Sequence, residues 1–367
     1  MVKMCLRRQK CRCELTEYLR DHTTFHIGGA ADHFFQATTE AELIQHVIQA
    51  DAAQIPLLVL GGGSNLLVAD SGFAGAVIQV ATKGIQVSEQ PAGSGAIVSV
   101  AAGETWDEFV EFTVEQSGNR QGFVGIEALS GIPGTVGATP VQNVGAYGQE
   151  VSQTIARLRT FDRQTSQIRI FDAAECGFGY RTSAFKQSAT GSPTGRWVIL
   201  EVSFQFAQNK LSAPLRHQEL ANMLEVQPGE RAPLSKVREA VLELRRSKGM
   251  VVDEADHDTW SAGSFFTNPV LDVDSASQLP AAAPRYSQAS GEIKTSAAWL
   301  IKNAGFNEGY SCGRAALSTK HVLAITNRGG ASAGEVLELA DQIVNAVKAR
   351  FQVILTPEPV IISERKL

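Results

Sequence analysis

The sequence predicts an α+β fold in two parts, and three observations carry that prediction. Apolar residues recur at helical spacing over residues 40–53, and a continuous apolar run over 55–60 follows at once, which makes a small β-α-β unit. Strand patterns then return at intervals as far as residue 206. The longer periodic helices fall after residue 230, in a separate C-terminal lobe.

In order, residues 24–30 (Thr-Phe-His-Ile-Gly-Gly-Ala) lead into a strand over 32–37. Leu43, Val47 and Ile48 form the apolar face of the first helix, and 55–60 reads as a buried strand. Strands follow at 76–80 and 96–101, and Thr105 is placed to cap a helix over 106–116. Residues 118–148 are dense in glycine and read as an ordered loop with short helical turns. Strands are expected at 155–161, 167–171 and 197–206, with an exposed tip at 188–195 and a domain boundary at 208–214. A helix over 234–247 buries Val237, Val241 and Leu244, and Arg245, Arg246 and Lys248 at its end suit the helix dipole. The acidic stretch 251–259 reads as a surface loop, and the Ala-, Pro- and Ser-rich stretch 271–291 as irregular. A short helix at 295–304, a strand at 321–326, a helix at 334–351 and a final strand at 353–362, broken by two prolines, complete the chain.

The chain has 367 residues, enough for two or three domains and a large core. Hydrophobic residues make up 44% and charged residues 19%, as in ordinary globular proteins. A net charge of −5 gives no general basic surface for nucleic acid, while local cations leave an anionic substrate open. No apolar run reaches the about 20 residues that span a bilayer. Residues 1–13 are basic without an apolar segment, so they are not a secretory signal, and residues 1–20 are expected to form a disordered basic tail. The five cysteines include no C-x-x-C pair, which disfavours a disulfide framework or a metal site and fits a reducing cytoplasm.

Two glycine segments stand out. Gly61-Gly62-Gly63-Ser64-Asn65-Leu66 follows a buried strand, and successive backbone N–H groups there can form an anion nest; the other reading is a tight turn alone. The phosphate loop with Gly-Lys is absent, and the dinucleotide pattern G-x-G-x-x-G fails at Leu66. In the second segment, Gly131, Gly134, Gly137, Gly145 and Gly148 alternate with Thr135, Thr139, Gln142 and Asn143, a composition suited to a wall against a planar, hydrogen-bonding cofactor or to an ordered loop without a ligand. Further on, Ser264 lies in Ser261-Ala-Gly-Ser-Phe-Phe-Thr-Asn-Pro269, without the G-x-S-x-G frame of a nucleophile, so its hydroxyl is a candidate proton donor or a turn serine.

These segments, with Gly179-Tyr-Arg-Thr-Ser-Ala-Phe-Lys186 and Pro357-Glu-Pro359, occur in one order, and the chain closely resembles the bacterial UDP-N-acetylenolpyruvoylglucosamine reductases (MurB) from about residue 24 to about 362. The resemblance implies a FAD-binding domain of the vanillyl-alcohol oxidase type over 21–210, a small β-α-β unit plus a mainly antiparallel sheet. It also implies an α+β substrate-binding domain over 211–355 and a last strand, 356–367, that carries a catalytic glutamate. FAD, held non-covalently, falls to Gly61, Gly62, Gly63, Ser64, Asn65, Leu66, Ser130, Ile132, Pro133, Gly134, Gly137, Ala138, Gln142, Asn143, Gly145, Ala146 and Tyr147. NADPH is the implied reductant, and the implied partner is a UDP-sugar, reduced from enolpyruvyl to lactyl ether in peptidoglycan precursor synthesis. The flavin N5 would give a hydride to C3, and Ser264 a proton to C2.

By the same resemblance Arg181 is the catalytic cation, whose planar fork suits a carboxylate that gains charge during reaction. Glu358, held extended between prolines, is the third catalytic residue. Tyr180, Arg245, Lys248, Asn268, Tyr286 and Lys294 match substrate positions. His217 stands where the long, substrate-covering form of the family has tyrosine, and is expected to cover the UDP group. A monomeric cytoplasmic enzyme without metal is expected. The alternatives are a FAD oxidase of the same fold acting on an alcohol or sugar, and a non-catalytic flavin-binding paralogue.

Overall fold

The computed structural model describes residues 16–89, 95–115, 122–189 and 192–363. Its first unit is parallel. Strand β1 (Ala31–Ala37), helix α1 (Glu40–Ala52), β2 (Leu57–Leu60), β3 (Leu66–Val68) and β4 (Phe73–Val80) follow in sequence, and β1 and β2 flank β4 in a three-stranded parallel sheet. Thr39 starts α1 with a capping box: its hydroxyl accepts the Glu42 N–H, and Glu42 accepts that of Thr39. Leu43, Val47 and Ala50 then face the sheet, fully or nearly buried, whereas Ile48 points outward.

The second unit is antiparallel. Its strands are β5 (Ile85–Glu89), β6 (Ala96–Ala101), β7 (Gly122–Val124), β10 (Ile155–Asp162), β11 (Gln167–Asp172) and β12 (Trp197–Asn209). They stand in the order β11-β10-β12-β6-β5, with β7 on the far end of β12. Helix α2 (Trp106–Glu115) lies over this sheet, and Trp106, Phe109, Phe204 and Phe206 stack in its core. Of the glycine-rich stretch expected as a loop over 118–148, residues 118–121 lie outside the described residues, 122–124 form the strand β7, and the rest runs as short helical turns and one small hairpin, β8 (Gly145–Ala146) with β9 (Gln149–Glu150). A four-residue helix, α3 (Ala184–Gln187), precedes β12.

Helices α4 (Gln218–Met223) and α5 (Leu234–Ser247) pack on that segment: Leu215, Leu220, Val237 and Val241 share a cluster with Ala128. The C-terminal lobe has its own core. It holds β13 (Val270–Leu271), α6 (Val273–Ser277), β14 (Arg285–Ser287), β15 (Ile293–Thr295), α7 (Ala297–Asn303), β16 (Ser311–Cys312), β17 (Ala315–Leu317), β18 (Ile325–Asn327) and α8 (Ala333–Phe351). Finally β19 (Val360–Ile362) returns to the first unit and pairs in parallel with β3. The α+β class, with its parallel unit, antiparallel sheet and separate lobe, is the one expected.

Several local expectations are corrected. Residues 1–15 of the expected tail lie outside the described residues, but 16–20 pack on the body: Leu19 is fully buried and its N–H donates to Gly29 O at 2.9 Å. The stretch 251–259 is not simply a surface loop, because Asp258 is buried and accepts from Thr319 and Arg328. The stretch 271–291 contains α6, capped by Asp272, and β14. The strand expected at 321–326 begins only at Ile325, because a turn with Ala324 N–H on His321 O precedes it. The last strand is confined to Val360–Ile362, since Pro357 and Pro359 have no N–H to give a ladder.

Candidate active site

The two glycine segments meet as one wall. A Cβ on Gly62 would lie 2.7 Å from Gly134 Cα, and one on Gly61 would lie 2.6 Å from Thr135 Oγ1, so only glycine allows the approach. The Ser64 hydroxyl donates to Pro133 O at 2.9 Å. Among the described residues, the N–H groups of Gly61, Gly62, Gly63, Ser64, Ile132 and Gly134 donate to no protein acceptor. Neighbouring free backbone donors on a close-packed glycine wall fit a group that carries a diphosphate, as FAD does.

Other residues expected at the cofactor lie within the wall's framework. Ser130 is buried and its hydroxyl donates to Glu127 O, and the Gly137 N–H donates to Ala102 O. The Asn143 amide donates to Glu150 and to Gly179 O and accepts the Ser152 N–H, so it clamps the wall to the turn that carries Arg181. Asp107, which the sequence reading missed, accepts the Gly131 N–H at 2.5 Å while paired with both terminal nitrogens of Arg238.

Arg181, Glu358 and Ser264, distant in sequence, come together. Arg181 has φ +53, and its Nε lies 3.0 Å from Glu358 Oε1, in a bent approach that makes an ion pair without a well-formed hydrogen bond. Its Nη2 donates to Gly145 O at 3.1 Å. Glu358 is bound on both sides: its N–H donates to Phe265 O at 2.8 Å, Thr267 N–H donates to Thr356 O, and Val360 N–H donates to Asn65 O. Its carboxylate also accepts from Gln142 Nε2 at 3.3 Å, and Gln142 in turn accepts from Asn65 at 3.1 Å, so the first glycine loop reaches the carboxylate through one amide. Burial pushes the Glu358 carboxyl above its ordinary value, opposed by Arg181 and Lys186.

Ser264 precedes the residue that holds Glu358. Gly263 before it has φ +71, and the Thr24 hydroxyl steadies the same loop by donating to Ser261 O at 2.7 Å. Phe265 and Phe266 after it belong to the C-terminal core. The Ser264 hydroxyl has no hydrogen-bond partner among the described residues and remains available as a donor.

The expected substrate residues form two groups. In one, the Tyr180 hydroxyl accepts the Asn268 N–H at 3.2 Å, Lys294 Nζ stands 4.8 Å over the Tyr180 ring, and Tyr286 pairs with Lys294 across β14 and β15. In the other, His217 meets the Tyr147 ring edge-on at 5.1 Å, and Lys248, 5.7 Å from that ring, pairs with Glu219. Burial holds the His217 imidazole below its ordinary pKa. Burial lowers Arg245 to about 10; one terminal nitrogen donates to Met250 O, and its Nε stands beside Gly131. The sequence reading missed Glu219 and His321; burial lowers the latter to about 4, with Lys248 nearby.

Comparison with known proteins follows the same division. Residues 31–170 match a FAD binding domain family, and residues 254–362 match the family described as UDP-N-acetylenolpyruvoylglucosamine reductase, C-terminal domain. The chain is 50% identical over 340 residues to the UDP-N-acetylenolpyruvoylglucosamine reductase of Cutibacterium acnes, covering 92% of this chain and 87% of that one. It is 48% identical over 354 residues to the enzyme of the same name from Thermobifida fusca, covering 94% and 96%. The crystal structure of the reductase from Thermus caldophilus shares the fold, with a TM-score of 0.63 and 24% identity over 95% of this chain and 98% of that one.

Proposed function

The chain belongs to the UDP-N-acetylenolpyruvoylglucosamine reductase family, and from that premise we propose how its own residues perform the reduction. The substrate is UDP-N-acetylglucosamine enolpyruvate, the product UDP-N-acetylmuramate, the bound cofactor FAD and the reductant NADPH. When bound, the flavin supplies a hydride for the enolpyruvyl C3.

The convergence of Arg181, Glu358 and Ser264 carries this reading. The Arg181 fork, only partly engaged by Glu358, holds the substrate carboxylate, whose charge grows as the enolate forms. Ser264 gives its proton to C2; a hydroxyl is a weak acid, but an enolate carbon is a strong base. Glu358, fixed by the backbone bond to Phe265 O, orients the donor loop against the substrate. The unpaired N–H groups of residues 61–64 and of Ile132 and Gly134 would hold the cofactor diphosphate, and Gln142 links that wall to Glu358. Residues 21–210 form the cofactor domain, 211–355 the substrate domain and 356–367 the C-terminal segment that carries Glu358. Tyr180, Asn268, Tyr286 and Lys294, with His217, Arg245 and Lys248, receive the UDP-sugar.

An oxidase acting on an alcohol or sugar needs no proton donor to carbon, so the unpartnered Ser264 hydroxyl weighs against it. No helix among the described residues is long and apolar enough to cross a membrane, and we assign a monomer working in the cytoplasm. The test is Ser264→Ala in the flavin-loaded protein. NADPH should still bleach the flavin, while reoxidation by the enolpyruvyl substrate should slow by about 10²–10⁴-fold, the usual worth of a general acid. Normal turnover would overturn the assignment, and oxygen consumption driven by a simple alcohol would favour the oxidase.

A further inference from the structure

Lys186 has no part in the chemistry above, yet it stands at the centre of it. It lies on α3, whose N-cap Ser183 accepts the Lys186 N–H and donates to Val141 O at 2.5 Å in the second glycine segment. The ammonium is half-buried and donates to Arg181 O at 3.1 Å. It forms no ion pair among the described residues, although a desolvated ammonium without a counter-charge is costly. Burial lowers its pKa, Glu358 opposes that and Arg181 adds to it.

Two facts follow from this placement. Arg181 and Glu358 pair at 3.0 Å, so the positive charge of this cluster left without an ion-pair partner among the described residues is that of Lys186. Arg181 also has a left-handed backbone, which a residue with a side chain adopts at a cost; the paired backbone bonds between Gly179 and Thr182 close that turn, and the bond from Lys186 to the Arg181 carbonyl braces it from the side.

We propose that Lys186 is a positioning residue of the reductive site: it locks the Arg181 backbone so that the guanidinium faces Glu358 and the substrate carboxylate, and it supplies the positive charge that keeps both carboxylates ionised. The inference rests on the reductase reading. The groups that face Glu358 are Arg181 and Lys186 from the 179–186 segment, the Tyr180 phenol, and the neutral amide of Gln142.

The test compares wild type, Lys186→Met and Lys186→Arg as flavin-loaded proteins. Flavin content and the rate of flavin reduction by NADPH report folding and the cofactor site, and in Lys186→Met both should stay within about twofold of wild type. Reoxidation by UDP-N-acetylglucosamine enolpyruvate should slow by about 10- to 100-fold, the lower range for loss of a charge-assisted contact. Binding of the lactyl ether product, read from the flavin absorbance without turnover, should weaken about tenfold. The sign of the pH effect is fixed. Burial already raises the Glu358 carboxyl, and losing Lys186 removes one of the charges that oppose it. Glu358 then protonates at a higher pH, and the acid limb of reoxidation moves up. Lys186→Arg restores the charge and should return the limb to its wild-type position. An unmoved limb with unchanged product affinity in Lys186→Met, or a limb that arginine does not restore, overturns the proposal. If the methionine variant purifies without flavin, Lys186→Gln takes its place in the same comparisons. Failure of the wild type to be reoxidised by the substrate refutes the reductase reading instead.

Discussion

Arg181→Lys keeps the charge and removes the fork. In the structure the guanidinium serves two directions at once, with Nε 3.0 Å from Glu358 Oε1 and Nη2 3.1 Å from Gly145 O. A lysine at this position has one nitrogen on a flexible stem, and it cannot reach Glu358, Gly145 and a substrate carboxylate together. The left-handed backbone is retained, so no new strain separates the variants. One charge-assisted hydrogen bond is worth about 1.5–3 kcal/mol, and about 1.4 kcal/mol is tenfold in rate. Losing one such contact in the transition state therefore slows flavin reoxidation by the substrate about 10- to 100-fold. Stopped-flow mixing of pre-reduced enzyme with substrate measures this step, and reduction by NADPH in the same preparation is the control. A lysine variant that is reoxidised within twofold of wild type refutes the role of the planar fork. Equal losses in both half-reactions refute its assignment to the reductive step.

Two further outcomes bear on the walls of the site. Gly62→Ala puts a Cβ 2.7 Å from Gly134 Cα, a backbone atom that cannot swing aside, so the two loops must part. Overpacking of about 1–3 kcal/mol lowers cofactor affinity about 5- to 150-fold, and full flavin retention through purification contradicts the close-packed wall. His217→Ala removes the edge-on partner of Tyr147. An aromatic pair worth about 0.5–1.5 kcal/mol predicts a KM for the UDP-sugar raised about two- to tenfold, with the KM for NADPH unchanged; an unchanged UDP-sugar KM counts against a covering role.

Elements set by local pattern were legible in the sequence. The first helix and α8 were found within a residue because each has an apolar period behind a capping box. Elements set by distant partners were not. Asp258 looked like part of an acidic surface stretch, and only Thr319 and Arg328, brought to it by the fold, explain its burial. The strand expected over 321–326 shrank because apolar content does not register a turn. At the site, the motif order pointed to Arg181, Ser264 and Glu358, of which Arg181 pairs with Glu358 and the Glu358 N–H bonds the carbonyl next to Ser264. Lys186 stood in one of those motifs without a role, because its partner is a carbonyl, which no sequence pattern displays. Asp107 gave no signal at all: its partners, Gly131 and Arg238, are 24 and 131 residues away.

The pairing of β3 with β19 has a consequence for how tightly the two half-reactions stay joined. It is a three-residue parallel ladder standing alone as a two-stranded sheet, and such short elements open at a lower free energy than the centre of a six-stranded sheet. When β19 frays, the Val360 N–H leaves Asn65 O and the hold on Glu358 beside it loosens, while the Ser64 hydroxyl stays on Pro133 O and keeps the two glycine loops together. The molecule then accepts electrons and has nowhere productive to send them. Amide exchange along Val360–Ile362 therefore measures a leak to dioxygen: the faster those amides exchange, the more reduced flavin is reoxidised by oxygen instead of by the sugar, and the more NADPH is consumed for each sugar reduced.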